Sequence, residues 1–217
     1  MKTGCVLVGL AATASIAVAS PITFDWTRVT SNAPHSVSDQ WVVTSGDDGA
    51  GRSVFRFERV GSSTVALAQI YFTGIDDLLK GPQFASSAGV KYAAGANPAH
   101  PPGANDFDVD FAAGRKKQGG IGNAVNANGE WLEISFAIAP GLTQSDVAAG
   151  ITAGTLRLAM HIQSIGQYSD TYINTPPVPP TPTPPPVIPL PAAVWSAGLG
   201  TIGVAGLVIR RRQRLSR

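Results

Sequence analysis

A single cysteine, Cys5, among 217 residues leaves no partner for a disulfide and no cysteine-based zinc site. Cys5 also precedes the first apolar run, whereas a lipid-modified cysteine follows one, which argues against a lipid anchor. Charge is scarce, at 14% of residues, and unevenly placed. Lys2 and the terminal Arg210, Arg211, Arg212, Arg214 and Arg217 account for the basic excess. Residues 20–175 hold 10 basic against 14 acidic residues, a net −4. With no basic stripe on a mildly acidic body, nucleic acid is not an expected partner. Histidine and glutamate are limited to three residues each, and no serine stands in a Gly-x-Ser-x-Gly elbow. Neither a nucleophile with its base nor a paired-carboxylate glycosidase site stands out, so a non-enzymatic protein is expected.

Proline is abundant in one place: ten of the 17 lie between Pro176 and Pro191. Such a run forms no packed core. With Thr181 and Thr183 interspersed, it reads as a semi-rigid polyproline spacer over 176–188, rising ~3.1 Å per residue. The two ends carry addresses. Lys2, an apolar run from Val6 and the small residues Ala17-Val18-Ala19 before Ser20-Pro21 form a secretory signal layout, so residues 1–19 are expected to be removed by signal peptidase. Residues 192–209 contain no charge and as a helix would reach ~27 Å, near the ~30 Å hydrocarbon core. Trp195 at one end and the arginines at the other place the body outside the cytoplasm, on a single-pass intermediate.

Pro189-Leu190-Pro191, the Trp195-containing apolar segment and Arg210-Arg211-Arg212 at the end resemble the tripartite sorting signal of PEP-CTERM proteins. Leu190 stands where the name-giving motif has Glu, and the stretch through Ala192 is similar to the Val-Pro-Leu-Pro-Ala version. The resemblance implies handling by an exosortase, a membrane-embedded enzyme with a cysteine transpeptidase-like site, and a final place at the cell surface or in the extracellular matrix. Asn105 to Phe111, Gly122 to Phe136, Leu156 to Ile165 and Ser169 to Asn174 also resemble an ectodomain recurrent ahead of such signals, which implies a fold and an address without an activity. The implied role is structural, in an exopolysaccharide or biofilm matrix; the alternative is a carbohydrate-binding or adhesin module.

The body, residues 20–175, alternates with period two. Phe55 and Phe57 oppose Arg56 and Glu58, and β-branched and aromatic residues resume after Gly61-Ser62-Ser63, a pattern that predicts a hairpin over 53–73 with one solvated face. Leu132, Ile134, Phe136 and Ile138 repeat the alternation, as do Leu156, Leu158, Met160 and Ile162. Further strands are expected over 22–29, 40–44, 90–92 and 106–111. Two short helices are expected, a single turn over 75–80 and a second over 144–153, opened by a Thr143/Asp146 capping box and ended by Gly154. The expected fold is all-β, an antiparallel sandwich of jelly-roll type, followed by the transmembrane helix.

Three features of the body invite chemistry. On a strand, Asp106, Asp108 and Asp110 would lie ~7 Å apart on one face, either as a solvated edge near Arg115, Lys116 and Lys117 or as ligands of a calcium ion with Asn105. Trp41, Tyr92, Trp131 and Tyr168 are candidates for stacking on sugar rings, Trp131 foremost because it alternates away from Leu132 and Ile134. His161 alternates away from Met160 and Ile162 and reads as a surface histidine, while His35 and His100 sit in proline-containing loops. Gly119-Gly120-Ile121-Gly122-Asn123 lacks the Lys-Ser/Thr ending of a phosphate loop and reads as a strand connection.

Overall fold

The computed structural model describes residues 21–116 and 121–176. All described residues belong to one compact unit. The expected signal segment, most of the expected proline spacer, the Pro189-Leu190-Pro191 motif and the helix expected over 192–209 lie outside the described residues. Among those described, no helix is long and apolar enough to cross a membrane.

Among the described residues, eleven strands form two antiparallel sheets. The five-stranded sheet is built from β1 (Ile22–Thr23), β3 (Trp41–Asp47), β4 (Arg52–Arg59), β9 (Trp131–Ile138) and β6 (Leu79–Ser86), in that order. The six-stranded sheet runs β2 (Asp25–Arg28), β11 (Tyr168–Thr175), β10 (Arg157–Ile165), β5 (Ala66–Thr73), β8 (Phe111–Arg115), β7 (Tyr92–Ala94). Their inner faces pack on one another, as alternating strands require. Phe55 of β4 meets Phe72 of β5 edge to face at 5.1 Å between ring centroids, and Phe136 of β9 lies 5.3 Å from Phe72. Among the described residues the one α-helix, α1 (Gln144–Ala153), packs against β3 and β4 through Val147 and Ile151. Its first turn holds as expected: the Asp146 carboxylate accepts from the Thr143 N–H and hydroxyl, both at 2.8 Å. Those bonds hold that carboxyl below its usual range. Gly154 ends the helix at φ 72°, a left-handed conformation that glycine adopts without penalty.

Four expectations are corrected. The hairpin over 53–73 does not form: β4 pairs with β3 and β9, while β5 crosses to the other sheet and pairs with β10 and β8. The corner is set by Arg59, a fully buried side chain that donates to the Gln40 and Ser63 carbonyls and so ties the turn back to the start of β3. The strand expected over 22–29 breaks at Phe24, which sends β1 and β2 into different sheets. The helical turn over 75–80 is a turn followed by strand β6, whose Gly81-Pro82 falls at a bulge on the sheet edge, where proline costs no ladder bond. Residues 106–110 are irregular, and β8 begins only at Phe111.

That last difference has a physical origin. Residues 95–110, passing through a cis Asn97–Pro98 bond, lie across the outer face of the six-stranded sheet. Ala104 and Phe107 pack there on Tyr71, Ala159 and Ile173 in a second, smaller core, with Val109 half-buried beside them. Burial alternates along the segment because it lies on a sheet, not because it belongs to one. Gly114 permits the approach, since a Cβ there would stand 3.0 Å from the Gly95 carbonyl oxygen. As a result β5 is buried on both faces.

Candidate functional site

The aromatic candidates separate by burial. Trp41 and Tyr92 are core residues, 5% and 4% exposed, and neither can stack on a ligand. The Tyr92 hydroxyl donates to the Leu67 carbonyl and accepts from Val125 N–H, and burial pushes its pKa up. Trp131 opens β9 half-buried on the outer face of the five-stranded sheet. The Arg56 guanidinium sits 4.4 Å from the Trp131 ring centroid and is held there by Glu133 at 2.9 Å and Glu58 at 3.1 Å. Cross-strand register dictates this group: Arg56 is opposite Glu133, and Glu58 is opposite Trp131. One ring face of Trp131 is therefore covered by the protein itself. Tyr168, 41% exposed at the start of β11, is the most open of the four.

The acidic candidates do not lie on a strand. Asp106, Asp108 and Asp110 are exposed in the irregular segment ahead of β8. Asp110 Oδ2 accepts the Ile75 N–H at 3.0 Å, which fixes the β5–β6 turn. Among the described residues no group of three or more His, Cys, Asp or Glu is placed to hold a metal ion.

His161 is not on the surface. Alternation does turn it away from the main core, but the 95–110 segment covers that face and leaves it 5% exposed. Its Nδ1 lies 2.6 Å from Gln69 Oε1, and Gln69 Nε2 donates to the Asn97 carbonyl at 2.8 Å, so the pair latches the covering segment to the sheet. Burial, with help from Arg115 and against Asp170, lowers the pKa of His161 from its ordinary 6.5. Between that lowered value and 6.5 the unfolded chain binds the proton and the folded chain does not. Stability therefore falls as pH drops below about 6.5 and stops falling below the folded-state value. Urea melts across pH 4.5 to 7.5, compared with His161→Gln, check this: the variant should lose that segment of the pH dependence, and an unchanged profile would contradict the burial of a neutral imidazole.

A cleft opens at one end of the sandwich. It has a volume of about 550 Å³ and runs between His35, the Ser63-Thr64-Val65 corner, Ile121 and the Ser164-Ile165-Gly166 end of β10. A second hollow of about 290 Å³ shares Ser164 and Gly166 and continues along Gln163, Gln167, Tyr168 and Ser169. No family model, curated protein or solved structure matches this chain. Ser164 has φ 62°, a left-handed conformation that costs a non-glycine residue about 1 kcal/mol or more, and it falls where the β10–β11 register slips between Ile162 and Ile165. Bulges and strain of this kind re-aim side chains beside binding sites. The sequence pattern contains no signal for it, since Gln163-Ser164-Ile165 reads as ordinary strand.

Proposed function

We propose that the chain is an exported cell-surface or extracellular-matrix protein with a non-enzymatic, structural role in an exopolysaccharide or biofilm matrix. Signal peptidase and the general secretory machinery bring it across the membrane, a helix over 192–209 holds it there with the body outside, and an exosortase processes it. The observation carrying this reading is the order of features along the chain. A signal-type segment, an all-β body, a proline spacer, Pro189-Leu190-Pro191, an uncharged run and Arg210-Arg211-Arg212 follow one another without interruption. Among the described residues the last strand, β11, ends at Thr175, directly ahead of the proline run, which supports this order. A jelly-roll connectivity and the transmembrane helix belong to the same proposal. The mass of the mature protein, taken from cells with and without the exosortase, is the test. Loss of the segment after the Pro-Leu-Pro motif only where the enzyme is present is the expected result, and a C-terminus at Arg217 in both strains overturns the reading.

A second reading, a carbohydrate-binding or adhesin module, is favoured by one observation: Trp131 retains exposed ring surface within a polar group of Arg56, Glu58 and Glu133. If that face binds glycans, Trp131→Ala lowers binding on a glycan array at least tenfold, a loss of about 1.4 kcal/mol. Binding that survives the substitution removes Trp131 from the site.

A further inference from the structure

We infer that the end cleft and its continuation past Ser164 form a binding site for a neutral oligosaccharide, with Tyr168 as its stacking platform. Three observations converge on this assignment, which does not depend on how the chain is sorted. First, among the described residues no carboxylate, lysine or arginine lines either hollow, so the described lining holds no charge that would repay the desolvation of a charged ligand. Second, the lining divides into two parts of complementary kind. Val65, Ile121 and Ile165 offer an apolar floor in the larger hollow, whereas the smaller one presents amides and hydroxyls from Gln163, Gln167 and Ser169. A sugar ring has the same division, with C–H faces that pack on apolar surface and an equator of hydroxyls that need donors and acceptors.

Third, the polar groups are set in place before a ligand arrives. Arg115 donates to Gln163 Oε1 at 2.9 Å, which fixes that amide and leaves its nitrogen as a donor. Gln167 Nε2 donates to the Tyr168 hydroxyl at 3.0 Å, which leaves the phenolic proton free to donate outward. The strained Ser164 stands where the two hollows meet, turned by its left-handed backbone. A site whose donors are already oriented loses less entropy on binding. The two-residue turn Gly166-Gln167 carries most of this apparatus at the tip of the β10–β11 hairpin, so the site is built on the two strands beneath it.

The test titrates the full chain with cellohexaose, isomaltohexaose and oligomeric N-acetylglucosamine, with trigalacturonate as the anionic counterpart, following heat by calorimetry up to about 10 mM sugar. At least one neutral sugar should bind saturably and trigalacturonate should not. Tyr168→Ala and Gln167→Ala change exposed side chains and should fold normally. Each should weaken binding by about tenfold or more with the melting temperature unchanged. Ser164→Gly relieves the backbone strain, so it should raise the melting temperature while weakening binding, which separates its role from a purely structural one. Failure of every neutral sugar to bind, preference for trigalacturonate, or binding untouched by the hairpin variants each overturns the assignment. Binding that is lost in Trp131→Ala but kept in Tyr168→Ala overturns it too, and moves the site to the five-stranded sheet.

Discussion

Replacing Asp170 with alanine should cost about 3–5 kcal/mol of unfolding free energy, one of the two largest effects expected of any single change outside the termini. The Asp170 side chain is fully buried in β11 and receives four donors. Arg28 Nη2 lies at 2.6 Å, Thr30 Oγ1 at 3.0 Å, and the backbone N–H groups of Asn32 and Ala33 at 2.8 and 3.2 Å. Removal of the carboxylate strands a largely buried guanidinium and two backbone donors at once, and unpaired buried groups are what make such losses large. The converse change is milder. Arg28→Met leaves Asp170 with three of its donors, and the arginine side chain is already 19% exposed, so about half the loss is expected. Urea unfolding of the two variants and the parent measures the difference; a loss below about 1 kcal/mol for Asp170→Ala would show that the carboxylate does not organise this corner. The effect reaches the cleft as well, because the 28–33 segment that Asp170 fixes leads directly into His35.

How much of this was legible in advance depended on whether the information was local. The alternation of Phe55 and Phe57, and of Leu132, Ile134 and Phe136, places β4 and β9 within a residue of where they lie, because a half-buried strand writes its own period into the sequence. The α1 boundaries follow from Thr143, Asp146 and Gly154, whose effects act within one turn. Pairing is another matter. Ser53 to Thr73 reads as a hairpin because two strands are joined by a short glycine-serine link, and only the buried Arg59 at the corner shows that the link turns between sheets. His161 reads as a surface residue for a single physical reason. Alternation tells which side of a strand a residue faces, but not whether a loop fifty residues away in sequence lies over that side. The cleft left no trace in the sequence at all, since its distinguishing features, a register slip and a positive φ at Ser164, arise from the fit between two strands.

Phe72→Ala should match the loss at Asp170, by a different mechanism, and destabilise the body by about 3–5 kcal/mol. Phe72 is fully buried at the centre of the contact between the sheets. Its ring meets Phe55 at 5.1 Å, Phe136 at 5.3 Å and Phe111 at 5.9 Å, with the first two edge to face, as the ring quadrupole prefers. Phe136 and Phe111 in turn meet each other at 5.2 Å and 90°, so the four rings form one closed group across both sheets. Truncation removes the transfer free energy of the ring and leaves a cavity that the surrounding rings cannot fill, because strands on both sides hold their backbones. For a body of about this size each kcal/mol lowers the melting temperature by about 2–4 °C, so a drop of ~10 °C is expected. Phe72→Leu keeps most of the apolar volume and should lose less than half as much, with the remaining difference reporting the aromatic contacts. Differential scanning calorimetry of the two variants decides between a packed ring cluster and a loosely filled interior: equal melting temperatures for Phe72→Ala and the parent would refute the packed core. The cleft at the end of the sandwich does not touch Phe72, so neutral-sugar binding measured well below the melting transition should persist in both variants, which separates what holds the sheets together from what the loops recognise.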